Sequence, residues 1–469
     1  MRSLLLIFLG AIAILFAGLG KKEIRMLPWA IALLLGALVF IPMDWIANEQ
    51  PDWVNHIVPY FMMVFDRSAL AFMAVIIIAA MLVLGLFGQR EITGSDQLGL
   101  ILFSLCGALI LCSFTHMVML FLGIEALSIP LFVLAGSRKK DLRSNEAAIK
   151  YFLMGAFSTA IFLMGCAFVY GGTGTLDLSV MQRVIPGSAA MGGMTGLAKT
   201  GVVLLMTGLC FKIAAVPFHF WSPDVYEGSP NRTTLFMATV VKIASFSAFF
   251  RLFNFAFSSP LAHGNWSFVL AILAAATILV GNIGALAQRN LKRTMAYSSI
   301  AHAGYMLLAI LANPLESFWA LIVYSLAYAG SSAVVFYILN KVQEKKGNTE
   351  FESFNGFGRA NRWLGILLIL ALFSMAGIPV TAGFAGKFLL FSAAFTGFKW
   401  LVIVALLGSA ISIAYYFRVF RHAFLTEADG DIIKPEWQDS VFLAIAATVL
   451  LLIGIWPALI TGLQLFELH

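Results

Sequence analysis

Residues Gly208–Pro230 read GLCFKIAAVPFHFWSPDVYEGSP, and they set a lysine and a proline inside an apolar run that begins near Gly196. Pro217 has no amide proton and its ring meets the carbonyl of Ile213, so a helix carrying Lys212 is expected to break here. A second stretch, Ser374–Phe391, reads SMAGIPVTAGFAGKFLLF and repeats the device with Gly377, Pro379, Gly383, Gly386 and Lys387. It sits in an apolar run of 36 residues, 361–396. One helix of that length extends ~54 Å, against a bilayer core of ~30 Å. Two full crossings do not fit either, so the run is expected to be one span interrupted midway. Irregular backbone at membrane depth is tolerated only inside protein or beside a water-filled cavity. Paired broken spans in corresponding positions of two halves point to a transport path between inverted repeats.

Working outward, the composition agrees with that reading. Hydrophobic residues make up 61% of the 469 residues and charged residues 11%, against about half and a quarter in soluble domains. The fold class expected is an all-α polytopic membrane protein. The net charge of +7 comes from short loops and does not argue for a nucleic-acid partner. No phosphate-cradling glycine motif, zinc spacing or nucleophile elbow stands out. Cys106, Cys112, Cys166 and Cys210 lie in apolar runs without a CxxC. They read as small buried hydrophobes, which argues against haem or iron–sulfur ligation by this chain. The first apolar run has only Arg2 before it and Lys21, Lys22 and Arg25 after it. That is the reverse of a secretory signal, so it reads as a retained span.

About fourteen spans are expected: 2–20, 27–46, 67–88, 97–114, 116–136, 146–171, 196–221, 232–257, 266–287, 291–312, 316–341, 361–396, 400–425 and 438–463. The breaks fall in the seventh and twelfth. Five-helix units of spans four to eight and nine to thirteen place each break fourth in its unit, and an odd span count inverts the second unit. The expected segments are a three-helix start (1–96), a first repeat (97–257), a second, inverted repeat (266–425) and a last span (426–469). Loop cations divide twenty to six between the two sides. The positive-inside rule makes the richer side cytoplasmic and puts both termini on the periplasmic side.

Four lysines remain within spans: Lys150, Lys212, Lys242 and Lys387, and Glu125 is the one acid deep in a span. Each such group costs at least ~2.5–3.5 kcal/mol at a helix centre. Lys212 is too deep to snorkel comfortably and reads as a proton-holding site, or as a structural lysine matched by a carbonyl or carboxylate. Glu125 and Lys212 would relieve each other's burial as a pair. Lys242 lies ~15 Å into the eighth span and reads as a further proton carrier. Lys387 follows the second break and reads as the terminal proton site, or as a solvated loop lysine. Lys150 is one turn inside the sixth span, where snorkelling is as good an explanation. His219 and His302 can relay protons near neutrality or serve as hydrogen-bonded core residues. Around His302, the run SSIAHAGYM adds Ser298, Ser299 and Tyr305 as water-holding groups.

The stretch GIEALSIPLFVLAGSRKKDLRSNEAAIKYFLMGAFSTAIFLMG, Gly123–Gly165, and FKIAAVPFHFWSPDVYEGSP after it resemble the antiporter-like membrane subunits of bacterial NADH:quinone oxidoreductase, respiratory complex I. The resemblance covers nearly the whole chain and is nearest the subunit N type. EALSIPLFVLAG followed by EAAIKYFLMGA favours that type over L and M, and Lys387 stands where type M carries a glutamate. One departure is NRTTLF after YEGSP, which places Arg232 at a helix entrance. The resemblance implies a proton-translocating subunit of the bacterial inner membrane, driven by quinone reduction in neighbouring subunits. It implies the Glu125–Lys212 pair, a proton role for Lys212 and the use of a lysine at Lys150. It also implies that NADH, FMN, iron–sulfur clusters and quinone are used by other subunits, not bound here. The partners implied are further membrane-arm subunits, lipid and protons. The alternative is a cation/proton antiporter subunit of Mrp type, or the membrane subunit of a hydrogenase, because fold does not decide function.

Overall fold

A computed structural model describes residues 1–18, 26–47, 62–91, 94–187, 195–258, 260–427 and 432–457. The loop cations Lys21, Lys22 and Arg25 and the end of the last expected span lie outside the described residues. Regular structure among the described residues is helical, apart from isolated bridges such as Met63 with Phe114 and His116 with Asp177. Eleven helices are long and apolar enough to cross a membrane, among the described residues. Arg2–Ala17, Arg362–Ala376 and Ala382–Phe395 are shorter apolar helices.

Local chemistry sets the helix ends. Asp141 accepts from Arg143 N at 3.0 Å and opens Leu142–Thr173. Asn290 does the same for Lys292 N and Arg293 N and opens Leu291–Leu311. These carboxylate and amide caps satisfy amides that the first helical turn leaves unpaired.

Both expected breaks are present. The helix Gly196–Lys212 stops five residues before Pro217, with Ala214 at φ 57°, and helix resumes at Trp221–Gly228. Ending the helix before Pro217 avoids the clash that a continuous helix would force between its ring and the Ile213 carbonyl. The second run divides into Arg362–Ala376 and Ala382–Phe395, with Gly377 at φ 84° and Val380 at φ 74° between them. Among the short elements that escaped the sequence reading is Leu178–Gly187, a ten-residue helix between the sixth and seventh spans. Its polar residues hid it from a search for long apolar runs.

Helices pack in a repeated pattern. Ser95–Ser113 lies on Met117–Ala135, and Leu142–Thr173 on Gly196–Lys212. Pro260–Leu286 lies on Leu291–Leu311, and Pro314–Lys346 on both halves of the second broken helix. Close approach depends on glycine at these seams. A Cβ on Gly201 would stand 2.7 Å from Val169 N, and one on Gly165 would stand 2.8 Å from Leu205 N. Small residues that let backbones touch are the usual glue between membrane helices.

The centre of the molecule is formed by Asn231–Ala256, Leu291–Leu311 and Pro314–Lys346, whose apolar windows are 89%, 94% and 94% buried. Leu142–Thr173 lies at the edge, with Ile149, Phe152, Leu153 and Phe157 exposed. Three cations that sequence assigns to loops are in fact buried. Lys292 donates to Ser229 O at 2.5 Å, and Arg232 donates to Gln97 Oε1 at 2.9 Å. Lys341 lies 3.8 Å from Asp439, which also accepts from Tyr337 Oη at 2.6 Å. Each lies at or near the end of its helix, yet neighbouring elements cover it, and hydropathy does not register that cover.

Candidate functional site

Each broken helix ends on a lysine socket. Lys212 is the last residue of Gly196–Lys212, where the helix dipole is negative and favours a cation. Its Nζ donates to Ser128 Oγ at 2.8 Å, and Ser128 in turn donates to Ile124 O. Ser128 is one turn beyond Glu125 on Met117–Ala135, so the two share a face. Glu125 accepts from Thr159 Oγ1 at 2.8 Å. The carboxylate is within Coulombic reach of Lys212, but the two groups are not in contact. The direct pair expected from the resemblance is thus opened in this structure, each partner resting on its own hydroxyl. Glu125 is only half buried, on the side where Leu122, Ile129 and Phe157 are exposed.

Lys387 shows what the second break supplies. Its Nζ donates to Ala376 O at 2.9 Å, a carbonyl that the interrupted helix leaves without an amide, and to Ser409 Oγ at 2.9 Å. Its ammonium lies 4.9 Å from the Tyr305 ring centroid, a favourable place for a desolvated cation. The lysine is 4% exposed, so the reading of a solvated loop lysine fails.

Lys242, 2% exposed, follows the π-helical turn Met237–Val241. It donates to both Ser299 O and Ser299 Oγ. The contact joins the eighth span to the tenth, and so links the two expected repeats.

His302 sits one turn from Ser299 and within Coulombic reach of both Lys242 and Lys387. Its Nδ1 meets Tyr324 Oη at 2.6 Å and its Nε2 meets Tyr416 Oη at 3.0 Å. Tyr416 Oη also meets Ser298 Oγ at 2.5 Å. With both ring nitrogens on hydroxyls, His302 can take a proton at one and release it at the other. Tyr324 and Tyr416 were not legible as site residues, since tyrosines within apolar spans look like packing. The one signal was SSIAHAGYM, which announces a polar face but not what meets it.

His219 and Lys150 fall elsewhere. His219 lies in the non-helical segment after Lys212; it is buried and its Nδ1 has no hydrogen-bond partner. Lys150 is 41% exposed and forms ion pairs with Glu146 at 2.7 Å and Asp224 at 2.8 Å. The snorkelling reading of Lys150 therefore matches its position. Among the described residues, no three His, Cys, Asp or Glu side chains converge as a metal site.

Gly377 couples backbone and site. Its φ of 84° strains any L side chain, and a Cβ there would stand 2.8 Å from Lys387 Cδ. Gly377→Ala is therefore expected to destabilise the subunit by roughly 1 kcal/mol or more and to displace Lys387. Melting of the purified protein checks this; a parental melting temperature would remove the constraint.

Comparison with known proteins follows the same lines. Residues 115–412 match the family described as NADH:quinone oxidoreductase/Mrp antiporter, TM. An NADH-quinone oxidoreductase subunit N from Cytophaga hutchinsonii is 39% identical, covering 97% of this chain and 98% of the relative. One from Flavobacterium johnsoniae is 33% identical over 97% and 98%. A chain of respiratory complex I from Thermus thermophilus superposes with a TM-score of 0.82 at 33% identity, covering 100% of this chain and 99% of that one. A chain of an archaeal membrane-bound sulfane sulfur reductase gives a TM-score of 0.84 at 23% identity over 99% and 95%, a likeness of fold alone. With broken helices, buried lysines and relatives in agreement, the chain belongs to the NADH:quinone oxidoreductase/Mrp antiporter membrane-subunit family, among its NADH-quinone oxidoreductase N subunits.

Proposed function

We propose that the chain translocates protons as a membrane-arm subunit of NADH:quinone oxidoreductase. The observation that carries this reading is that Lys212, Lys242 and Lys387 are all enclosed and each is held by a serine hydroxyl that can exchange a proton. His302 and its tyrosines occupy the interval between the last two lysines. A purely structural scaffold has no use for three ammonium groups buried at several kcal/mol each.

The path runs from Lys212 through Lys242 and the Ser298–Tyr416–His302 group to Lys387 and then out. Formation or loss of the Glu125–Lys212 pair drives the first step, because a carboxylate in contact stabilises the ammonium. Glu125 lies on the exposed apolar edge, where a neighbouring membrane-arm subunit would sense or set its charge. Redox chemistry with NADH, FMN, iron–sulfur clusters and quinone belongs to other subunits. The coupling is a local electrostatic change with a distant readout.

Fourteen spans follow from this reading, with each broken helix counted once. The repeats 97–257 and 266–425 are supported by packing: in both, the first helix lies on the second and the third on the broken fourth. The lysine of each broken helix reaches the second helix of its own unit, at Ser128 and at Tyr305. Inner-membrane placement with both termini periplasmic follows from the loop cations.

Affinity purification of the tagged chain from its native membrane tests membership. Quinone-reducing and iron–sulfur subunits should travel with it. Recovery with cation/proton antiporter subunits alone would favour the Mrp reading instead.

A further inference from the structure

The helix Pro260–Leu286 carries a fully buried asparagine, Asn282, beside the Lys387 socket. Its neighbour Gly281 lets the backbone meet Leu291–Leu311, where a Cβ would stand 2.5 Å from Ala301 N. Gly304 does the same from the other side, with a Cβ 2.9 Å from Ile278 N. That close seam brings the Asn282 amide to the phenol of Tyr305. Three bonds fix the amide. Nδ2 donates to Ile278 O at 2.8 Å and to Tyr305 Oη at 3.0 Å, and Oδ1 accepts from Tyr415 Oη at 3.2 Å. A carbonyl only accepts, so Ile278 O settles which end of the amide carries the nitrogen. Both amide donors and the amide oxygen are then used, as a buried amide requires. Leucine fills a similar volume without that requirement, so packing alone does not account for the residue. Gly408 closes the space around the contact: a Cβ there would stand 2.9 Å from Asn282 Nδ2 and 3.1 Å from Tyr305 Oη.

We infer that Asn282 is a positioning residue for Lys387, acting through the ring of Tyr305. The role assumes that Lys387 carries a proton in the path proposed above. The groups facing Lys387 are Ala376 O, Ser409 Oγ, the Tyr305 ring with its centroid 4.9 Å from Nζ, and, at Coulombic range, His302. Of these the ring is the one whose effect depends most on orientation. An aromatic face attracts an ammonium and does little for a neutral amine. The ring is anchored twice, at its Cα by the helix and at Oη by Asn282. Without the amide it is free to tip off the lysine. The same amide reaches the histidine. Tyr415 packs on Tyr416 with ring centroids 4.4 Å apart, and Tyr416 Oη meets His302 Nε2 at 3.0 Å. One side chain therefore ties the ring over Lys387 to the phenols around His302.

The experiment follows proton pumping against pH in vesicles of assembled complex, with subunit content verified. Asn282→Leu keeps the volume and removes the three bonds. The alkaline limb of its profile is expected about half a pH unit below the parent's, a roughly threefold change in the ratio of ammonium to amine. The shift is downward because a displaced ring no longer favours the ammonium. Tyr305→Phe keeps the ring and cuts only its tether, and the same shift is expected. The double variant should shift no further, since both changes cut one bond; a further shift would mean separate actions and overturns the role. A purely structural asparagine would lower complex content or melting temperature and leave the limb in place. That result overturns the positioning role, and so does a parental profile. If Asn282→Leu fails to assemble, Tyr305→Phe decides by the same criterion. Lys387→Met in the same membranes keeps the two claims apart. If it loses pumping while Asn282→Leu and Tyr305→Phe are parental, the carrier stands and the positioning role falls. If Lys387→Met is parental as well, the carrier reading itself fails.

Discussion

Membranes carrying Lys387→Met are expected to pump protons about tenfold more slowly than the parent, and quinone reduction should fall with pumping. The expectation rests on the socket. Methionine matches the lysine stem in length but has no basic group, and the Ser409 hydroxyl left in the socket can pass a proton but not hold an extra one. The variant should still assemble, because Ser409 Oγ already donates to Ala376 O at 3.2 Å and keeps that carbonyl satisfied. Loss of function would then be loss of the carrier, not loss of the fold. Lys387→Arg should not restore the rate. A guanidinium keeps its proton at any working pH, and its planar fork does not fit a socket built for a point charge beside Gly377 and the Tyr305 ring. Initial rates of acidification and of quinone reduction, measured in the same vesicles, check the prediction. Full pumping by an assembled Lys387→Met complex would leave the second broken helix without a purpose.

The second large effect concerns Lys212 and Glu125. In this structure each is satisfied apart from the other, Lys212 on Ser128 and Glu125 on Thr159. The two hydroxyls give the pair an open arrangement. Both arrangements are needed if the pair is to switch. Lys212→Ala leaves Ser128 bonded to Ile124 O, and Glu125→Gln can still accept from Thr159. Neither change strands a buried group, so assembly should survive both. Each single variant is expected to lose most of the proton translocation, about tenfold. The double variant should be little worse than either single, since groups acting as one unit are non-additive. Glu125→Asp should lose less if the shorter carboxylate still reaches.

Much of this site was legible in the sequence, for a definite reason. Pro217 and Pro379 report on backbone four residues away through a steric clash, and Lys212, Lys242 and Lys387 stand out because charge is costly in an apolar run. What pairs with each lysine was not legible. Ser128, Ser299 and Ser409 belong to other helices, and no periodicity encodes which helix lies beside which. Tyr324 and Tyr416 were hidden in the same way, since a phenol in a span looks like any aromatic until His302 is placed against it. Lys292 and Lys341 mislead in the opposite sense. They look like cations at span ends facing a loop, yet neighbouring elements cover both. Lys150 was left open between carrier and snorkelling lysine, and its exposed pairing with Glu146 and Asp224 favours the latter.

The ratio of protons translocated to quinone reduced, in vesicles bearing Lys212→Ala, Glu125→Gln or both, tests the central claim most directly. The account predicts a lowered ratio in both single variants, with the double variant close to the lower of the two, in complexes of unchanged subunit content. Parental ratios in both assembled single variants would contradict it and make Lys212 a structural lysine.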